Sequence, residues 1–211
     1  MSTLEHLLHE NDLEGEDFTA LEAQGLDLGG KELYRCTLRG SKLFETRWRR
    51  TRLEDCVLED CDLTRADPAG LVLSGVTLRR CKLLGIDFTD LAANPDVRFE
   101  ECNLEYAVFR RTNLRKLKIL DSNLRATSFV ECDLVEADLS GCDLTGAIFE
   151  GSSLGKADLG RAQGAFVDPQ RNRVKELRIS VESAVLLAES LGMRVAGHES
   201  TRPRAARTKR R

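Results

Sequence analysis

Ala107–Gly151 reads, in fives, AVFRR TNLRK LKILD SNLRA TSFVE CDLVE ADLSG CDLTG AIFEG. The third residue of every group is large and apolar: Phe109, Leu114, Ile119, Leu124, Phe129, Leu134, Leu139, Leu144 and Phe149. The first is small or apolar, and the second is often Asn or Asp. A period of five matches neither the 3.6 of an amphipathic helix nor the 2 of a half-buried strand. A short fixed repeat is instead the mark of a solenoid.

Working outward, the count extends to Phe99 and Leu159 in one phase. Upstream it runs from Leu13 through Phe18, Leu33, Trp48, Leu63 and Leu78 to Phe88 in another, with Ala23 and Pro68 as weak slots. Between Phe88 and Phe99 lie eleven steps, two repeats plus one. The extra residue falls in 89–97, beside the turn-forming pair Asn94-Pro95, and predicts a bulge or small loop there. Asp90, Asn94 and Asp96 are the polar residues of that bulge or loop.

The aromatics set the number of repeats per turn. Trp48, Phe88, Phe109, Phe129 and Phe149 are spaced by 40, 21, 20 and 20 residues, the 21 absorbing the slip. Like residues stack when one turn apart, so a turn is four repeats and the coil has four sides. Repeat centres and the small residues two before them point inward; the other three positions face water. About thirty centres make roughly seven and a half turns, a rod about 36 Å long at the usual strand spacing.

The seven cysteines, Cys36, Cys56, Cys61, Cys81, Cys102, Cys132 and Cys142, all occupy the small inward site. Neither zinc spacing nor a disulfide framework fits them. They read as small buried hydrophobes in a reducing compartment. His6, His9 and His198 have no metal-ligand spacing, Gly29-Gly30-Lys31 lacks the rest of a phosphate loop, and no nucleophile-and-base set is visible. The sequence predicts no enzyme, cofactor or metal. Without a signal peptide or a bilayer-length apolar run, it predicts a cytoplasmic protein with no membrane partner.

The net charge of -3 hides an asymmetry. Residues 1–165 sum to -9 and residues 166–211 to +6. Arg47, Arg49, Arg50 and Arg52 surround an inward Trp48 and form no stacking platform for bases. Four segments follow: a cap over 1–10, the coil over 11–165, a cap and pairing segment over 166–198, and a basic tail over 199–211, expected to be disordered. Direct nucleic-acid binding is expected at most from that tail. In the third segment Ser180 is a helix N-cap and Gly192 the stop. Val181, Ala184, Val185, Ala188 and Leu191 share one apolar face, with Leu177 just before it.

The repeat resembles the pentapeptide-repeat family, whose members read Ala-Asp/Asn-Leu-x-x; Ala137-Asp138-Leu139-Ser140-Gly141 and Cys142-Asp143-Leu144-Thr145-Gly146 are close copies. The resemblance implies an all-β solenoid, a right-handed quadrilateral β-helix. The ending from Ser180 to Gly197 resembles that of the Qnr-type and mycobacterial quinolone-resistance members, which implies a homodimer joined through the helical segment. It further implies binding to DNA gyrase or topoisomerase IV and protection from quinolones or other poisons by imitation of DNA. Duplex DNA over 36 Å would carry roughly 21 negative charges, more than residues 1–165 supply. Near the implied dimer centre the acids are Glu131, Asp133, Glu136, Asp138, Asp143, Glu150 and Asp158, opposed in that stretch only by Lys156 and Arg161. The alternative is a scaffold of the same fold that binds another protein, since fold does not dictate function.

Overall fold

The computed structural model describes residues 3–198, so the predicted basic tail lies outside the described residues. The chain winds as a four-sided parallel β-solenoid of about eight turns, ended by a short helix. On the first side, strands 12–14, 32–34, 52–54 and 72–74 stack in register, Leu13 over Leu33 over Leu53 over Leu73. The second carries six strands, from 17–19 through 37–39, 57–59, 76–79 and 97–100 to 118–120. Single bridges build the third side, from Glu22 and Lys42 up to Asp143 and Gln163. The fourth stacks 108–110, 128–130 and 148–150.

Each position of the repeat has a physical reason. The centre is buried: Leu43, Leu104, Leu124, Leu144 and Leu154 show no exposed surface. The preceding Asp or Asn accepts a hydrogen bond from the backbone N–H two residues on, as Asp133 does from Val135 and Asn123 from Arg125, closing the turn. Two residues after the centre the backbone turns left-handed, as at Gly85, Tyr106, Ala126 and Gly146. The inward small residue lies where a polar atom still finds a carbonyl. Thr51 donates to Leu28 O, Ser152 to Phe129 O and Cys132 to Phe109 O. All seven cysteines are free and buried.

Phe88, Phe109, Phe129 and Phe149 stack inside the fourth side at centroid separations of 4.7, 5.1 and 5.1 Å with nearly parallel rings. Trp48 lies lower in the same column, its indole N–H donating to Thr46 Oγ1. Pro68 occupies the slot between Trp48 and Phe88. Bridges join Asp27 to Arg47 and Arg47 to Asp67, then resume only at Asp87 and Val108, because proline has no N–H to offer the next turn. Beside it lies an apolar cavity of about 30 Å³ lined by Trp48, Pro68, Leu73, Phe88 and Phe99.

The phase slip is absorbed in 90–96. Ala92 N donates to Leu71 O and Asp96 N to Leu73 O, so the bulge is laced to the turn beneath it. Strand 97–100 then pairs with 76–79 in restored register.

At the first end, helix α1 (Thr3–His9) covers the coil with Leu7 buried. Lys31, in an inward slot, runs up to this cap and donates from Nζ to Leu8 O and Glu10 O at 3.0 and 2.8 Å. A lysine fits there because one turn below it, at Asn11, the coil begins, so its side chain meets the cap instead of another inward residue. At the other end the ladder continues past the predicted limit of 165. Arg173 bridges Ser153, and 178–179 pairs with 158–159. The side chains of Val174 and Leu177 pack against the core in that last turn, and Asn172 fills an inward slot by donating to Phe149 O. Only the part around Asp168-Pro169 leaves the repeat. Helix α2 (Val181–Ser190) follows, capped by the Ser180 hydroxyl, which accepts from Ser183 N.

Candidate partner-binding surface

A coil with twenty residues per turn places residues i and i+20 side by side, and this decides the electrostatics of the acids. Arg111 pairs with Glu131 at 2.7 Å, Arg115 with Asp133 at 3.2 Å, Lys116 with Glu136 at 3.9 Å and Arg125 with Asp143 at 3.1 Å. From the turn above, Arg171 reaches Glu150 at 3.7 Å and Arg178 pairs with Asp158. Six of the seven candidate acids thus have a cation one turn away, correcting the expectation that only Lys156 and Arg161 oppose them. Asp138 alone of the seven has no ion pair among the described residues; its Oδ1 accepts from Ser140 N.

The pairs affect proton affinity. The Arg111 guanidinium holds the Glu131 carboxyl below the usual range. Burial pushes Asp143 up, but hydrogen bonds from Thr145 and the Arg125 pair outweigh it, leaving that carboxyl lowered. Arg80 does the same for Asp60 on the second side, while donating also to Glu59. These pairs are largely exposed, so each stabilises little and acts mainly by cancelling surface charge.

Asp90, Asn94 and Asp96 are all exposed, and each is tied to the coil by a hydrogen bond. Asp90 offers its carbonyl to Gly70 N. Asp96 Oδ2 accepts from Gly75 N, and Asn94 Oδ1 accepts from the Asn113 carboxamide at 2.6 Å.

On α2 the buried residue is Ser183, and Ser183 and Leu187 face the coil end over Val174, Leu177 and Ile179. Val181 and Leu191 are 73% and 54% exposed. Ala184 is exposed too, and Val185 and Ala188 are half-buried. The apolar face read from the sequence therefore turns outward, except that Leu177 belongs to the coil. Sequence reasoning missed Leu187 as the docking residue, since helical period alone does not say which side meets the coil. Tyr106 and Ile148, 58% and 51% exposed, were missed as well.

Among the described residues no group of three or more His, Cys, Asp or Glu side chains could hold a metal ion. None of the described helices is long and apolar enough to cross a membrane.

A family model described as pentapeptide repeats matches eight copies, over residues 32–67, 96–129 and 122–161. The chain is a pentapeptide-repeat protein. No curated protein matches it in sequence. Among solved structures this pentapeptide-repeat chain is similar to trypsin-treated QnrB1, a plasmid-mediated fluoroquinolone resistance protein. Identity is 20% and the TM-score 0.62, over 87% of this chain and 97% of that one. It is also similar to HetL, a pentapeptide repeat protein involved in heterocyst differentiation regulation from the cyanobacterium Nostoc. There the identity is 18% and the TM-score 0.65, over 84% and 90% of the two chains. At these identities the likeness is one of fold.

Proposed function

We propose that this protein is a rod-shaped binding scaffold whose partner is a bacterial type II topoisomerase, DNA gyrase or topoisomerase IV. In this reading the protein works in the cytoplasm and guards that enzyme against quinolones or related poisons. The observation that carries the reading is the C-terminal end. Helix α2 docks through Ser183 and Leu187 and leaves Val181, Ala184 and Leu191 outward. A second copy meeting that face would double the rod and bury apolar surface that water now touches. The likeness in fold to QnrB1, nearly end to end, is consistent with it.

The acidic residues contribute less than a duplex imitation asks. With Glu131, Asp133, Glu136, Asp143, Glu150 and Asp158 ion-paired, the rod offers its partner alternating charge, with Asp138 as an unpaired acid. That observation favours the second reading, a scaffold for some other protein, to which the fold of HetL is equally close.

Supercoiling by purified gyrase, poisoned with a quinolone, separates the two. Restored supercoiling on adding this protein is expected. No rescue of either gyrase or topoisomerase IV removes the topoisomerase reading and leaves the scaffold. Val181→Asp with Leu191→Asp should turn dimers into monomers in light scattering; an unchanged mass rejects α2 as the interface.

A further inference from the structure

The corner column where the third side meets the fourth holds no charged residue over four turns, in a chain where 32% of residues are charged, and in the strand column beside it the charge of Asp87 lies one turn below Val108. The corner column is Gly85, Tyr106, Ala126 and Gly146, tied turn to turn by Gly85 N to Glu105 O, Tyr106 N to Arg125 O and Ala126 N to Thr145 O. Beside it stands the strand column Val108, Ser128 and Ile148, with Val130 flanking. Strand 108–110 and its two partners make this surface a regular sheet face.

Tyr106 is the telling residue. Its φ of 60° lies in the left-handed region, where other corners hold glycine, alanine or flexible polar chains. A bulky ring there is strained. The ring is mostly exposed, so nothing inside the molecule compensates for that strain. Exposed tyrosine beside an arginine is also the composition typical of interface hot spots. The charges on either flank are informative. Arg111, Arg125 and Arg171 are engaged by Glu131, Asp143 and Glu150. Arg110 is exposed and makes no ion pair among the described residues, its neighbour Glu131 being taken by Arg111. Glu105, on the far flank, makes none among the described residues either.

We infer that this ridge, centred on Tyr106 and Ile148, docks a segment of a protein partner that is apolar in its middle and carries a carboxylate opposite Arg110. The small Ala126 and Gly146 leave a saddle between Tyr106 and Ile148 for the apolar side chain. The carboxylate completes the free guanidinium, and a cation on the other side would meet Glu105. This does not depend on the partner being a topoisomerase.

A display library of short random peptides, selected on the full chain, tests it. Enriched peptides should share an apolar centre with an acidic flank. Tyr106→Gly with Ile148→Thr should weaken them about tenfold or more, the size of a hot-spot loss. The thermal midpoint should hold or rise, because glycine suits the left-handed corner and threonine keeps the β-branch. Arg110→Glu should weaken the same peptides and favour basic ones. No enrichment, equal binding to the variants, or indifference to Arg110→Glu overturns the inference. So does a wild-type dimer that the Tyr106 and Ile148 changes split, since the occupant would then be a second copy.

Discussion

Replacing Pro68 by leucine should stabilise the protein. Pro68 sits in the ring column between Trp48 and Phe88, with an apolar cavity of about 30 Å³ beside it. It interrupts the ladder, for Trp48 N donates to Asp67 O and Phe88 N to Val108 O, but no backbone N–H among the described residues donates to Asp87 O. Filling the cavity at about 24 cal/mol per Å³ returns about 0.7 kcal/mol. A restored bond from residue 68 N to Asp87 O adds about 1 kcal/mol. Losing the restraint of proline on the unfolded chain takes back about 0.4–1 kcal/mol. The net gain is about 1 kcal/mol, which for a chain of this size raises Tm by about 2–4 °C. Thermal unfolding followed by circular dichroism measures it, with Pro68→Ala as companion. Alanine regains the N–H but enlarges the cavity, so it should fall below leucine. An unchanged or lower Tm for Pro68→Leu, or alanine equal to leucine, would refute the reasoning that a missing rung and a void weaken this turn.

Three further outcomes follow from single features. Lys31→Met leaves the carbonyls of Leu8 and Glu10 without their donor, so amides in α1 should lose hydrogen-exchange protection, at a cost on the order of 2 kcal/mol; undiminished protection would show that the cap holds without the lysine. Burial pushes the Cys56 thiol up to about 11 and the Cys142 thiol up to about 12, so neither should react with a thiol reagent at neutral pH until the coil unfolds. Asp60 and Glu131 are lowered by Arg80 and Arg111, so the unfolded chain takes up their protons first as pH falls. Their contribution is therefore present above the ordinary carboxylate range near pH 4 and lost below it. Arg80→Gln with Arg111→Gln should flatten the acid side of a Tm-against-pH curve; a curve of the same slope would remove these pairs as its cause.

What was legible in the sequence is what the interior dictates. Every inward slot must hold a side chain of limited shape, so the centres from Leu13 to Leu159 and the ring column announce the coil and its turn length. The Asp and Asn residues announce the corners, since their side chains close the turn from within the same repeat. The phase slip showed where the backbone had to bulge. The coil's last turn was legible only in part: Val174, Leu177 and Ile179 mark an irregular turn, but Asn172 and Arg173 replace the repeat's usual residues while the ladder of Arg173 and Ile179 persists. The docking side of α2 was not legible: Val181 and Leu191 are as apolar as Leu187, and only the shape of the coil end selects Leu187. The ion pairs were missed for a geometric reason. Glu131 has no base near it in sequence except Arg125, yet its partner is Arg111, one full turn below.

That last point governs how the surface of any such coil must be read. Laid flat, the exterior is a grid in which sequence runs along rows and the columns step by twenty. Coulomb energy between exposed charges falls to little beyond about 8–10 Å in physiological salt, so a charge is felt mainly by the next row or two at about 4.8 Å spacing. Block sums along the chain mix residues from all four sides and say little about any one of them. Columns say more: Lys116 under Glu136 and Arg125 under Asp143 cancel locally, whereas Gly85, Tyr106, Ala126 and Gly146 leave a strip with nothing to cancel. A partner that recognised only net charge would find no preferred side on this rod. One that recognised shape, with a single carboxylate to place, would find the ridge of Tyr106 and Ile148. The corner strain at Tyr106 separates that ridge from an accidental gap in the charges, because a merely solvated corner has no use for an aromatic ring held left-handed.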